Sequence, residues 1–153
     1  MRNFLVVLMA FGLLHIPSLR RIRWLTGAAA RAVVALSIGV LLSGVHHLVY
    51  MEHYVQLVPP WIPTPRAIVY LSAALRITFG VGGLVPTFRR GATIGSLVLL
   101  TVVAPVNVRI AVNGVAEGQL LDADWFRWLR VVLHAGWIAW CGWCLSILPK
   151  GRR

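Results

Sequence analysis

Residues 67–113 read AIVYLSAALRITFGVGGLVP TFRR GATIGSLVLLTVVAPVNVRIAVN, which is two apolar segments joined by a short basic turn. A bilayer core about 30 Å thick needs roughly 20 helical residues to cross it. Both segments, residues 67–86 and 91–113, are long enough, and so are residues 31–50 before them and 126–148 after them. The sequence therefore predicts an all-α fold, a polytopic transmembrane four-helix bundle.

The composition agrees with a membrane protein and argues against nucleic-acid binding. Hydrophobic residues make up 59% of the 153 residues and charged residues only 12%, too few to coat a soluble domain. The formal net charge of +11 would suit nucleic acid, but the arginines cluster at the ends of the apolar segments instead of along one amphipathic face. We expect the protein to lie in the lipid bilayer and to have no nucleic-acid partner.

A shorter apolar segment, residues 4–16, precedes the four long ones. It resembles a signal-peptide core, but Arg20, Arg21 and Arg23 stand between it and the nearest small-residue site, which disfavours cleavage. We expect an additional short N-terminal helix, and two placements stay open: a fifth span or half-insertion. The expected divisions are residues 1–30 with this segment and a basic loop, the bundle over 31–148, and a basic tail over 149–153.

Basic residues occur in every second loop, and this pattern predicts the orientation of the helices in the membrane. They precede the first long segment, occur as Arg89 and Arg90 between the second and third, and end the chain as Lys150, Arg152 and Arg153. The other two loops hold all four acids, Glu52, Glu117, Asp122 and Asp124. We therefore expect a multi-pass protein whose C-terminus is cytoplasmic and whose acidic loops face outward.

The first of those outer loops contains four prolines within residues 59–65. Each proline lacks an N–H and restrains the residue before it, so the loop should be an extended, stiff cap. Trp61 within it should lie at headgroup depth. A proline-rich docking ligand is the alternative interpretation, and a rigid connector is the favoured one.

Several short stretches together resemble the DoxX-like family of small four-helix bacterial membrane proteins. The resemblance covers roughly residues 31–148 and implies a bundle in the bacterial inner membrane, in a family linked to thiosulfate:quinone oxidoreductases and to sulfur and oxidative-stress complexes. Relatives often have an acid where this chain has Arg76 in SAALR, which puts any carboxylate-dependent mechanism in doubt. The stretches that carry the resemblance are SGVH at 43–46, VPPWIP at 58–63, YLS at 70–72, PTFRR at 86–90 and APVNV at 104–108.

Arg76 is the most expensive residue of the chain, since a central arginine costs about 2.5 to 3.5 kcal/mol on insertion scales. It should face the bundle interior, with helix carbonyls, Asn107, a bound anion or Glu52 as candidate partners. Further ligand-binding candidates lie in the outer half of the same bundle. They are His46, His47, Asn107, Arg109, Arg130 and His134.

These groups suit an anionic or quinone-like headgroup, with quinone the cofactor to consider and no cofactor required by the sequence. Alternatively, they satisfy each other and the lipid headgroups. Asn107 and Arg109 lie about 200° apart on a helix, so both cannot point inward equally. Pro105 should bend that helix and free a carbonyl. No metal is expected, because the histidines lack ligand spacing.

Cys141 and Cys144 form a C-x-x-C pair on a helical stripe that also carries Arg130, His134 and Trp137. Such a pair can cycle between dithiol and disulfide, which makes both cysteines candidate catalytic residues. Redox pairs usually lie at a helix N-terminus, however, and these lie near a C-terminal end, so packing is the favoured interpretation.

The resemblance leads us to expect an accessory or anchoring subunit of a redox-linked membrane complex, without catalytic activity of its own. One alternative is a quinone-dependent thiol oxidoreductase that uses Cys141 and Cys144, and another is a small anion or metabolite carrier centred on Arg76. A redox protein, soluble or membrane-bound, is the expected partner. Gly91 and Gly95 also offer a close contact to a neighbouring helix or to a second copy.

Overall fold

The computed structural model describes residues 9, 10, 12, 13, 27–114 and 124–148. Most of the predicted N-terminal segment and the whole basic tail lie outside the described residues. Within the described part every regular element is helical, which agrees with the predicted all-α fold.

Within residues 27–114 and 124–148, the structure has four long helices and one short helix. They are α1 (Ala28–Val49), α2 (Met51–Leu57), α3 (Pro65–Leu84), α4 (Arg89–Asn113) and α5 (Asp124–Ile147), with a 3-10 turn at Pro86–Phe88 before α4. The four long helices are long and apolar enough to cross a membrane, which confirms the predicted spans to within a few residues. We call the end with α2 and the proline-rich loop the cap end, and the end with Pro86–Phe88 the turn end.

The short helix α2 differs from the expectation, because the sequence predicted only a loop between the first two spans. It begins directly after Tyr50, whose φ of −110° and ψ of 41° depart from helical geometry and end α1. The N–H of Tyr50 still bonds the His46 carbonyl, and the N–H of Tyr54 bonds the Tyr50 carbonyl, so the hydrogen bonding continues through the break. The chain thereby turns without a long connection.

The bundle is antiparallel, with α1 packed chiefly on α3 and α4 chiefly on α5. Glycines allow α1 and α3 to approach closely: a Cβ atom on Gly80 would lie 2.7 Å from Cβ of Leu41, and one on Gly44 would lie 2.8 Å from Cγ1 of Ile77. Such small residues are the common means of tight helix packing in membranes. Gly91 and Gly95 were both expected at a close helix contact. Gly95 packs on Phe79, whereas a Cβ atom on Gly91 would meet nothing within 4 Å.

The packed core occupies the turn half of the bundle. Val33 and Val40 of α1 are fully buried there together with Cys141 and Cys144 of α5. The indole N–H of Trp140 donates to the Ala32 carbonyl at 3.2 Å and so ties α5 to α1. The same half also buries polar side chains of α1 and α4, which are Ser37, Arg89, Thr93 and Ser96.

The proline-rich loop covers the cap end, but it is not extended as expected, since the Ile62 N–H donates to the Pro59 carbonyl at 3.0 Å and closes a turn. Pro59 is buried, Trp61 is 71% exposed, and Thr64 adopts a left-handed φ of 54° before α3 begins at Pro65. Two contacts connect this region to its neighbours. The Arg66 guanidinium pairs with Glu52 of α2, and Arg109 of α4 lies over the Trp61 ring at 5.0 Å.

Candidate functional site

A cavity of about 260 Å³ lies in the cap half of the bundle, beneath the proline-rich loop. All four long helices and α2 contribute to its wall, and Leu57, Val58, Pro59 and Ile62 form its roof. Its polar lining residues are Ser43, His47, Tyr54, Ser72, Arg76, Asn107, Arg130 and His134. The other walls are aliphatic except for Trp137 at the boundary with the core.

Arg76 lies in this wall with only 5% of its surface exposed. Its Nε donates to Ser72 Oγ at 3.4 Å and its Nη1 donates to Ser43 Oγ at 3.3 Å. Both distances are longer than a typical N–H···O bond, and both acceptors are neutral. The expected interior orientation of Arg76 is therefore present, and its partners are the hydroxyls of two helices.

Glu52 is not the partner of Arg76, which corrects one of the sequence-based candidates. It pairs with Arg66 instead, where both side chains are largely exposed, at 70% and 62%. The reason is distance along the bundle, since Glu52 sits in the cap helix and Arg66 begins the adjacent helix. None of the cavity-lining side chains in the described part of the chain is a carboxylate.

Arg130 brings a second guanidinium to the same cavity from α5. Its Nε and Nη2 atoms are buried, and neither has a hydrogen-bond partner among the described residues. An unsatisfied buried donor costs roughly 1 to 3 kcal/mol, and more when it is charged. Helices α3 and α5 thus each contribute an arginine to one space without a carboxylate in its described lining.

Two histidines line the cavity, and each is held by a backbone carbonyl. His134 Nε2 lies 2.8 Å from the Leu100 carbonyl, and His47 Nδ1 lies 2.7 Å from the Ser43 carbonyl. A carbonyl only accepts, so the bonded nitrogen of each ring carries the hydrogen. The His47 ring also stacks on Tyr54, with centroids 3.7 Å apart and planes 14° apart.

The comparisons with known proteins give a family for this arrangement. The family model described as "Domain of unknown function (DUF8561)" matches residues 36–145. The chain belongs to the DUF8561 family. No curated protein and no solved structure matches the chain. The DUF8561 match runs from within α1 to near the end of α5, so it includes the cap and every residue that lines the cavity.

Two of the predicted ligand-binding residues of this DUF8561 chain lie outside the cavity lining. His46 directs Nδ1 to the Tyr54 hydroxyl at 3.0 Å, because neighbouring helical residues point apart and His47 takes the inward position. Arg109 lies over Trp61, on the far side of α4 from Asn107. The cavity therefore brings together Asn107 with the arginines and His134.

Three polar lining residues were not predicted: Ser43, Ser72 and Tyr54. Ser72 precedes Arg76 by four residues, so the helical period was a usable signal for it. Ser43 reaches Arg76 only through the close approach of α1 and α3, and Tyr54 lies in the unforeseen helix α2. Pro105 was expected to free a helix carbonyl, and the carbonyl it frees is that of Thr101, four residues earlier. His134 bonds a different carbonyl, that of Leu100.

Cys141 and Cys144 lie in the turn-half core and are absent from the cavity lining. Both are free thiols with no exposed surface. They share a face of α5 with Trp137, which borders both the core and the cavity. Among the residues that the structure describes, no group of three or more His, Cys, Asp and Glu could hold a metal ion.

Proposed function

We propose that this protein is a membrane carrier that binds a small organic anion between Arg76 and Arg130. The observation that carries the proposal is the pair of cavity-lining arginines, of which Arg130 has two buried nitrogens without a partner among the described residues. Guanidinium groups present paired N–H donors that match a carboxylate. An anion between them would accept those hydrogen bonds and offset one of the two buried positive charges.

The apolar walls favour an organic anion over an inorganic one. Below the roof, the aliphatic side chains of Val69, Leu100, Val103 and Leu133 face the space, and Trp137 closes one end. A dry cavity of about 150 Å³ is known to hold benzene, and this one is about 260 Å³. A carboxylate on an aromatic or short aliphatic body therefore fits both its volume and its lining.

The carrier interpretation is preferred over the thiol oxidoreductase because Cys141 and Cys144 do not line the cavity. A bound quinone would be neutral and would leave both arginine charges without a counter-ion. The accessory role in a redox-linked complex rests on the DoxX-like resemblance and stays a separate prediction.

Orientation in the membrane is part of the proposal. The basic residues Arg31, Arg89 and Arg90 lie at the turn end, where α1 and α4 begin. Cytoplasmic loops carry an excess of such residues. We therefore place the turn end and the C-terminus in the cytoplasm of a bacterial cell, with the cap outside the inner membrane.

Benzoate binding to the purified protein in lipid nanodiscs tests the proposal. Calorimetric titration should give saturable binding to the wild type that is lost in Arg76→Gln and in Arg130→Gln. Arg90→Gln is the matched control, since it removes the same charge at the turn end, outside the cavity lining. Uptake of labelled benzoate into proteoliposomes then separates a carrier from a receptor.

Absence of benzoate binding to a folded wild type would overturn the proposed site for this class of anion. Binding that survives in the Arg76→Gln, Arg130→Gln double variant would show that benzoate binds elsewhere. Binding without uptake would retain the site and reject the carrier role.

A further inference from the structure

The hydrogen bonding of His134 leaves one ring nitrogen for proton exchange. Nε2 donates to the Leu100 carbonyl at 2.8 Å, so this nitrogen keeps its hydrogen in both protonation states. Nδ1 is then the atom that gains or loses a proton. Because the ring is anchored to α4, its protonation can change without a change of its backbone partner.

The groups around His134 are mostly positive or neutral. Arg130 lies four residues earlier on the same face of α5, α3 contributes Arg76, α4 contributes Asn107, and α2 contributes Tyr54. From α1 the cavity receives His47. Two nearby positive charges disfavour a third on His134 while the cavity holds no anion.

We propose that the organic anion binds together with one proton, which is taken up at Nδ1 of His134. This inference rests on the proposed anion site. A carboxylate between Arg76 and Arg130 reduces the positive potential at the ring, so anion binding favours protonation. The linkage is reciprocal, and protonated His134 must strengthen anion binding by the same factor.

The charge balance makes this coupling useful to a carrier. The anion brings one negative charge and the proton one positive charge, so the cavity has the same net charge before and after both have bound. Protonated Nδ1 also becomes a second hydrogen-bond donor on a ring that lines the cavity. The pair would therefore cross the membrane without net charge movement, with the proton gradient able to drive it.

The pH dependence of benzoate affinity in nanodiscs tests the inference. Between about pH 6 and pH 8 benzoate remains ionised, because ordinary carboxyl groups titrate near pH 4. For the wild type, we expect the apparent Kd to rise with pH by up to about tenfold per pH unit, which is the limit for uptake of one proton. Titrations in two buffers of different ionisation enthalpy should independently show proton uptake on binding.

His134→Gln is the informative variant, since its amide can still donate to the Leu100 carbonyl but cannot titrate in this range. We expect it to bind benzoate with a Kd that no longer changes with pH. His53→Gln is the matched control, because His53 of α2 lies outside the cavity lining, and it should keep the wild-type slope.

The outcomes separate the two proposals. A pH-independent Kd in the wild type, or no proton uptake in the two-buffer titration, overturns the proton coupling and leaves the anion site standing. A slope that persists in His134→Gln and disappears in His47→Gln overturns the assignment to His134. Loss of benzoate binding at every pH in the wild type overturns the anion site itself.

Discussion

Replacement of Arg76 by leucine is expected to stabilise the anion-free protein while abolishing benzoate binding. A central arginine costs about 2.5 to 3.5 kcal/mol on insertion scales, and leucine contributes about −0.3 to −0.6 kcal/mol, a difference of roughly 3 to 4 kcal/mol. The substitution loses two hydrogen bonds, at 3.3 and 3.4 Å, which are longer than the usual range and together contribute about 1 to 2 kcal/mol. The net gain is therefore roughly 1 to 3 kcal/mol.

The free energy of urea unfolding from lipid vesicles measures this effect, because the unfolded chain then lies in water and insertion scales compare the membrane with water. Arg66→Leu on the same helix is the control, because its exposed pair with Glu52 contributes only about 0 to 1 kcal/mol and its side chain is not buried. Ser43 and Ser72 can bond their own helix carbonyls once the guanidinium is gone. Destabilisation of Arg76→Leu by more than about 1 kcal/mol would refute the reasoning and make Arg76 a structural residue.

Three further outcomes are expected. Gly80→Val should destabilise the bundle by about 1 to 3 kcal/mol, since its Cβ would clash with α1. Gly91→Ala is the control, because a Cβ there meets open space, and it should change the free energy of unfolding little. Equal effects of the two substitutions would contradict the close packing of α1 and α3. Trp61→Ala should remove a cation–π contact of about 0.5 to 1 kcal/mol and speed hydrogen exchange in residues 58–64, and unchanged exchange would mean that the contact does not hold the cap. Cys141 and Cys144 should resist maleimide until the protein unfolds, as both are fully buried, and rapid labelling of the native protein would contradict their packing role.

The four spans were predictable because length and apolar composition alone decide whether a helix can cross a bilayer. The helix α2 was not, since seven residues that include Glu52 and His53 give no long apolar run. Its backbone forms a helix because α1 continues through Tyr50 with only a local change of direction. Short helices of this kind depend on neighbouring contacts, which a single sequence does not display.

The sequence predicted the polar, basic character of the cavity, but it predicted only some of the residues that line it. The insertion cost of Arg76 sufficed to place it inside the bundle, and the helical period related it to Ser72. Ser43 could not be found in this way, because its contact with Arg76 depends on how α1 and α3 rotate against each other. That rotation is fixed by glycine contacts. Gly44 of α1, for example, packs against residues of α3 that lie about 30 residues further along the chain.

The bundle consists of two helix pairs, and each pair carries one of the two arginines. Arg76 belongs to the tightly packed pair α1 and α3, and Arg130 belongs to the pair α4 and α5. Without an anion, two like charges in the cavity repel and favour separation of the pairs; a carboxylate that binds both would draw the pairs together. Because Arg76 is held by serines of α1 and α3, and His134 is held by α4, each pair carries its own preorganised half of the site. Under the proposed carrier function, an anion that joins the halves would favour the arrangement in which the two pairs are close, which is the differential affinity that a carrier requires.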